Sequence, residues 1–136
     1  WHLVFFGFTN CPDVCPNTLT ILARVEKALA DLPESQQPGV VLVSVDPTRD
    51  TPEQLGPYVR FFGERFVGIT GTEENIAALT SALGVPVAKV DLEGGYTMDH
   101  GAGIFVLDPE VRVRAFFSTP HEVATIASDY RRIVSG

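Results

Sequence analysis

The stretch FFGFTNCPDVCPNTL, from Phe5 to Leu19, holds both cysteines of the chain at the point where an apolar run gives way to a helical pattern. Cys11 and Cys15 are four positions apart, so a disulfide between them would close a very short loop and remove little entropy from the unfolded chain. A chain of 136 residues can also bury a sizeable core without a covalent staple. The two thiols are therefore predicted to be chemically active rather than structural.

The segments around the cysteines predict where they lie in the fold. His2 to Phe8 and Val40 to Val45 are short, nearly continuous apolar runs, typical of strands that are covered on both faces. Between them, apolar residues recur at helical spacing: Leu19, Leu22, Val25, Leu29 and Leu32. Because proline is tolerated in the first turn of a helix, Pro12 and Pro16 place the cysteines at the start of this helix, directly after the first strand.

Strands and helices continue to alternate along the rest of the chain. A second helix is predicted from Thr51, with a kink or a broken turn near Gly56 caused by Pro57. A third helix is predicted over TEENIAALTSALG, after a strand at Val67 to Thr70. VPVAKVD then leads to a turn at Gly94 and Gly95, and a hairpin joins Gly103 to Leu107 with Arg112 to Phe117. The last helix is predicted to open at TPHE and to direct these residues inward: Val123, Ile126, Tyr130 and Ile133.

This order predicts one α/β domain over residues 1–136, with a central mixed β-sheet flanked by helices. Parallel strands lead into an antiparallel edge, as in a thioredoxin-like fold. In such sheets reactive groups collect beyond the carboxyl ends of the parallel strands. Cys11 and Cys15 lie in that place, between the first strand and the first helix.

Composition and charge exclude several classes of function. The net charge of -7 does not supply the basic surface that nucleic acid requires, so no nucleic-acid partner is expected. No apolar run approaches the ~20 residues needed to cross a bilayer. Because the chain begins at WHLVFFGF inside an apolar segment, we expect it to be a fragment whose preceding part of the domain, with any membrane anchor, is not in this sequence.

The cysteine spacing suits a reactive dithiol and a metal site equally, so a third ligand carries more information. A structural zinc site normally needs a second Cys or Cys/His pair, which the sequence lacks, whereas two thiolates and one imidazole suit copper. His2 lies at the far end of the first strand and His121 in the turn before the last helix. His100, in the loop predicted for TMDHGAG, is the candidate that a thioredoxin-like fold would bring to the cysteines.

Three segments together resemble the Sco, or SenC-type, family of copper proteins, which assist assembly of the dinuclear copper centre of cytochrome c oxidase. They are FFGFTNCPDVCPNTL, VSVDPTRDTPEQL and MDHGAGIFVLDP, and they occur in the family's order over most of the chain. The resemblance implies a copper site formed by Cys11, Cys15 and His100 that binds both Cu(I) and Cu(II). It also implies that the two thiols can form a disulfide and exchange with cysteines of the oxidase subunit.

The resemblance also implies the surroundings of the site and the setting of the protein. Asp46 matches an acidic residue near the family's site, although a role as a turn residue before Pro47 explains it equally well. Met98 and Asp99 are weaker candidates for auxiliary roles beside His100. The expected partners are the copper-centre subunit of the oxidase and either another copper chaperone or a thioredoxin-like reductant. The expected location is periplasmic or otherwise extracytoplasmic with a membrane anchor, or the mitochondrial intermembrane space.

Alternative functions use the same thiols. A thiol-disulfide oxidoreductase that keeps the oxidase cysteines reduced, or a redox and copper sensor, is compatible with Cys11 and Cys15. A thioredoxin-type reductase would instead have two residues between the cysteines and a cis-proline facing them. A thiol peroxidase is disfavoured because Phe8 stands where that class has Thr or Ser. The sequence alone does not decide whether this chain is an enzyme.

Overall fold

A computed structural model describes residues 1–7, 14–46, 50–63, 66–85, 87–92, 95–100, 103–118 and 121–135, with the backbone alone at 14–17, 87–92 and 95–100. The strands in this part of the chain are β1 His2–Gly7, β2 Gly39–Ser44, β3 Phe66–Ile69, β4 Val87–Leu92, β5 Gly95–His100, β6 Ile104–Leu107 and β7 Val113–Phe117. The helices are α1 Val14–Ala28, α2 Pro52–Arg60, α3 Glu73–Leu83 and α4 Val123–Ser135, with a short 3-10 turn at Glu34–Gln36.

The central sheet is mixed, as the sequence predicts. Its strand order is β3-β2-β1-β6-β7, with β1, β2 and β3 parallel and β6 and β7 added in antiparallel fashion. The apolar runs at the start of β1 and in β2 fill the middle of this sheet, where strands are covered on both faces. β4 and β5 form a separate two-stranded antiparallel sheet.

The predicted stripe on the first helix forms part of the core. Leu19, Leu22 and Val25 are fully buried, and Leu29 is buried in the turn that follows α1. The last helix packs against α1 and buries Ile126 and Tyr130 completely or nearly so. The Tyr130 hydroxyl donates a hydrogen bond to the carbonyl of Gln36, and burial raises the pKa of this phenol.

The predicted starts of α2 and α3 agree with the structure, and Thr51 is the N-cap residue of α2 with Pro52 directly after it. Thr72 caps α3 by accepting a hydrogen bond from the amide of Asn75 at 3.1 Å, and Gly84 ends it with a φ of 71°. The broken turn expected near Gly56 does not occur, since α2 continues from Pro52 to Arg60 with Pro57 inside it. Pro57 cannot donate a bond to the Glu53 carbonyl, but both residues are exposed, so water can replace that bond.

Two other segments differ from the prediction. TMDHGAG was expected as a loop, but Gly95–His100 is strand β5, paired with β4, and His100 is its last residue. The last helix starts at Val123 rather than at the TPHE capping box, and the first helical bond runs from the Ile126 amide to the Glu122 carbonyl. Thr119 and Pro120 lie outside the described residues.

Candidate metal centre

The cysteine segment begins at the carboxyl end of β1. Gly7 ends this strand, and Cys15 is the second residue of α1, so its backbone belongs to the first turn of the described helix. Helix N-termini favour thiolates in general, because the macrodipole is positive there. Cys11 lies outside the described residues, and the description of Cys15 covers its backbone only.

The strand register brings the His100 segment to the same edge of the sheet. Phe5, near the end of β1, pairs with Ile104, the first residue of β6. The end of β1, which leads towards Cys11, therefore lies beside the start of β6, which follows His100 in the sequence. Adjacent strands are about 4.8 Å apart. Cys11 follows Gly7 by four residues, and His100 precedes Ile104 by four.

The same edge carries Asp46, since Gly7 pairs with Ser44 at the end of β2. The Ser44 hydroxyl donates to the Asp50 carboxylate at 2.7 Å and accepts from the Asp46 amide at 3.1 Å. The Asp50 amide in turn donates to the Asp46 carbonyl at 2.9 Å. Asp46 is 2% exposed and Asp50 is 1% exposed, so these two residues are both buried and hydrogen-bonded.

Asp46 has the hydrogen-bonded environment that its position before Pro47 predicts, and it follows β2 at the end of the sheet where β1 also ends. Its role beside a copper site stays a prediction. Ser44 and Asp50 were not among the predicted site residues. A signal for them exists in the sequence, because a hydroxyl interrupts the apolar run of β2 and a second aspartate follows four residues after Asp46.

The remaining candidates lie on or near β5. Positions 98 and 100 share one face of this strand and position 99 lies on the other, because successive residues alternate. Met98, Asp99 and His100 are described by backbone alone, so their roles as ligand or auxiliary residues stay predictions.

The other two histidines have different places in the sheet. His2 begins β1, at the opposite end from the cysteine segment, and partial burial together with the nearby N-terminal charge lowers its pKa. His121 follows β7, whose last residue, Phe117, pairs with Ile104. β7 therefore ends on the same side of the sheet as β1, and His121 follows it there, two strands away from β1. Among the side chains that the structure describes, no three His, Cys, Asp or Glu residues converge as a metal site.

Comparisons with known proteins show the family to which this chain belongs. The family model described as SCO1/SenC matches residues 1–135. The chain belongs to the SCO1/SenC family.

Two relatives and one solved structure illustrate this membership. The SCO1/SenC chain is 39% identical over 122 residues to a Stutzerimonas stutzeri protein whose name refers to copper binding, covering 88% of this chain and 59% of that protein. It is 34% identical over 129 residues to the mitochondrial SCO1 homolog 1 of Arabidopsis thaliana, covering 93% of this chain and 38% of the relative. It thus spans only about four-tenths to six-tenths of these relatives.

The crystal structure of Arabidopsis thaliana ScoI with copper bound superposes on this SCO1/SenC chain with a TM-score of 0.92 at 29% identity. The match covers 99% of this chain and 84% of the other. The predicted thioredoxin-like α/β fold is confirmed, as is the predicted family. In the part of the chain that the structure describes, none of the helices has the length and apolar character needed to cross a bilayer.

Proposed function

We propose that this chain is a copper metallochaperone that delivers copper to the dinuclear copper centre of cytochrome c oxidase. The observation that carries the proposal is the pairing of Phe5 with Ile104, which brings the ends of the segments bearing Cys11 and His100 together at one edge of the sheet. Family membership and the copper in the related Arabidopsis structure support it.

In this proposal, copper is cargo held by the Cys11 and Cys15 thiolates and the His100 imidazole. Two thiolates provide the soft ligands that Cu(I) prefers, and the imidazole completes a set that also accepts Cu(II). The thiols lose their protons as the metal binds and regain them when it leaves. They form a disulfide with each other only by exchange with a partner disulfide, which takes up the two electrons and is reduced to two thiols. The buried turn of Ser44, Asp46 and Asp50 supports the neighbouring strand end.

The proposed setting follows from the family. The recipient is the copper-centre subunit of the oxidase, with another copper chaperone or a thioredoxin-like reductant as a further partner. We place the protein at a membrane on its extracytoplasmic side, periplasmic in a bacterium or facing the intermembrane space in a mitochondrion. The mitochondrial name of the Arabidopsis relative supports the second of these locations.

A thiol-disulfide oxidoreductase is the second candidate. It is favoured by the position of Cys15 in the first turn of a helix that follows a parallel strand, which is where thioredoxin-like proteins keep reactive thiols. The two candidates differ in whether turnover requires metal. Catalytic reduction of a partner disulfide by the copper-free dithiol would favour the second function.

The test is a copper titration of the reduced protein against a competing chelator, for both oxidation states. Cys11→Ser, Cys15→Ser and His100→Ala should each weaken binding of at least one oxidation state by about tenfold or more, since each removes a ligand. The Cu(II) complex should show a strong sulfur-to-copper charge-transfer band that either cysteine variant abolishes. His2→Ala, at the opposite end of β1, is the matched histidine control and should bind like the parent. Unchanged affinity of His100→Ala for both oxidation states would refute the three-ligand site.

A further inference from the structure

Phe116, in the edge strand β7, has an aromatic ring that is 54% exposed yet lies directly on a glycine. A Cβ added to Gly103 would lie 2.0 Å from Cε2 and 2.1 Å from Cζ of this ring. The ring therefore occupies the space in which any other side chain at position 103 would begin. Gly103 permits this contact because it lacks a Cβ, and the diagonal aromatic supplies the packing that glycine does not.

The ring of Phe116 is the outer end of an aromatic row that crosses three strands. It packs on Phe105 in β6 with ring centroids 5.0 Å apart, directly opposite in the register. Phe105 in turn contacts Phe6 edge-to-face at 6.1 Å, and Phe6 is fully buried one residue before the end of β1. The aromatic row thus runs from β7, the outermost strand on its side of the sheet, to β1, the strand that leads into the cysteine segment.

Gly103 is three residues after His100 and immediately precedes β6. A span of three residues reaches at most about 11 Å, so the position of Gly103 limits where the backbone at His100 can lie. On its other side, His100 is paired with Val87 in the hairpin of β4 and β5. Gly103 stands at the β6 end of the connection from β5 to β6. The contact with Phe116 therefore holds that end in place.

We propose that Phe116 is a positioning residue for the metal site: its ring, seated on Gly103, fixes the backbone that brings His100 to the copper. This inference rests on the proposed function, in which His100 is a ligand. Two thiolates alone satisfy much of the preference of Cu(I), whereas Cu(II) depends more on the imidazole. Loss of the ring therefore acts mainly on the Cu(II) complex.

The experiment compares Phe116→Ala with Phe61→Ala in the full chain. Phe61 is the matched control, because it is 85% exposed and packs on Phe62 at 5.3 Å, away from the cysteine edge. Phe116→Ala should raise the Cu(II) dissociation constant about tenfold and shift the charge-transfer band, while Cu(I) affinity changes less than about threefold. Phe61→Ala should leave both affinities unchanged.

A double variant separates positioning from a general loss of packing. With His100 already replaced by Ala, removal of the Phe116 ring should change Cu(II) affinity less than about twofold, because no imidazole remains to be positioned. If Phe116→Ala weakens Cu(II) binding equally with and without His100, the inference is wrong. Should Phe116→Ala fail to fold, Gly103→Ala displaces the same ring from the other side and should weaken Cu(II) binding in the same direction.

The outcome for His100→Ala distinguishes this inference from the function on which it rests. If His100→Ala weakens Cu(II) binding and Phe116→Ala does not, the role of Phe116 is refuted and the three-ligand site stands. If His100→Ala has no effect, the ligand assignment fails, and the positioning role fails with it.

Discussion

Val111 has an unfavourable backbone conformation for its type. Its φ of 62° lies in the left-handed region, where a branched Cβ clashes with the following carbonyl, and it is the one such non-glycine residue in the described part of the chain. Its side chain is 74% exposed, so little packing offsets the strain. The turn persists because Asp108 accepts hydrogen bonds from the amides of Glu110 and Arg112 at 3.0 and 2.9 Å.

The hydrogen bonds that hold this turn depend on the ionised form of Asp108. Burial opposes ionisation, yet the two amide hydrogen bonds and the guanidinium of Arg112, at 3.2 Å, together hold the pKa of Asp108 below its ordinary value. The carboxylate thus imposes the turn, and Val111 takes the conformation that the turn requires.

Val111→Gly is expected to stabilise the protein. Relief of the left-handed strain should contribute about 1–2 kcal/mol, of which the greater freedom of glycine in the unfolded chain removes about 0.5–1 kcal/mol. The net gain in the free energy of unfolding should be about 0.5–1 kcal/mol. Urea denaturation of the reduced protein, followed by circular dichroism, measures it.

The reverse change at Gly84 is the matched control. Gly84 also has a left-handed φ, of 71°, and a Cβ added there would meet nothing within 4 Å. Gly84→Ala therefore tests the backbone term without a steric clash and should lower the free energy of unfolding by about 1 kcal/mol. If Val111→Gly lowers stability while Gly84→Ala leaves it unchanged, the strain argument is wrong.

At the scale of elements, the accuracy of the sequence prediction depends on how local the signal is. β1, β2 and the stripe on α1 were predicted because continuous or periodic apolar residues specify them without reference to the rest of the chain. β5 was missed because GYTMDH contains no such run and becomes a strand by pairing with β4. Pro57 suggested a break because a local rule ignores the solvent exposure of the lost bond.

The candidate site shows the same division. Cys11, Cys15 and His100 were proposed from short motifs, and the shared sheet edge follows from strand order. The Ser44 to Asp50 hydrogen bond and the contact between Phe116 and Gly103 depend on exact register and turn geometry. The sequence marks Ser44 and Asp50 as polar residues beside a buried strand, but only three-dimensional coordinates show that their side chains hydrogen-bond and that the Phe116 ring lies on Gly103.

An ion pair links the turn after α1 to the last helix and predicts a pH dependence of stability. Arg131 donates to the Asp31 carboxylate at 2.6 and 3.1 Å, and this hydrogen bond lowers the pKa of Asp31 in the folded state. A carboxyl with a lowered folded pKa contributes stability above its unfolded pKa and loses it as the pH falls through the folded value. Asp31→Asn should therefore lower the urea midpoint at pH 7, and the difference from the parent should narrow below pH 3.8.

The control for this prediction is Glu34→Gln, which removes the same charge from a nearby exposed residue. It should leave the urea midpoint at pH 7 close to that of the parent. The hydrogen bond from Arg131 to the Ala28 carbonyl, at 2.8 Å, does not depend on the pH and remains in Asp31→Asn. A difference between Asp31→Asn and the parent that stays constant from pH 7 to pH 3 would show that the ion pair is not its cause.

At the scale of the whole molecule, the proposed ligands join segments that are far apart in sequence. Cys11 and Cys15 follow β1, whereas His100 ends β5 and precedes β6, so bound copper would tie the first strand to the second half of the chain. A ligand that binds the folded chain better than the unfolded chain stabilises it by mass action. If these three residues hold the metal, we expect copper binding to raise the global stability of this protein.

Cu(I) should raise the thermal unfolding midpoint of the reduced protein and leave that of the disulfide form unchanged. Free Cu(I) at a hundred times its dissociation constant adds at most about 2.7 kcal/mol to the free energy of unfolding. Any binding of Cu(I) to the thiols of the unfolded chain reduces this gain. Scanning calorimetry with buffered Cu(I) measures the shift. Cys11→Ser and Cys15→Ser should each reduce it, because each leaves one thiolate.

His100→Ala tests whether bound copper links the first strand to the second half of the chain. With Cu(II) it should reduce the thermal shift strongly, because the remaining ligands, Cys11 and Cys15, both lie in the segment between β1 and the first turn of α1. With Cu(I) the reduction should be smaller, since two thiolates suit that ion. His2→Ala at the opposite end of β1 should show the full shift in both cases. An equal shift for parent and His100→Ala with both ions would mean that copper does not join the two halves.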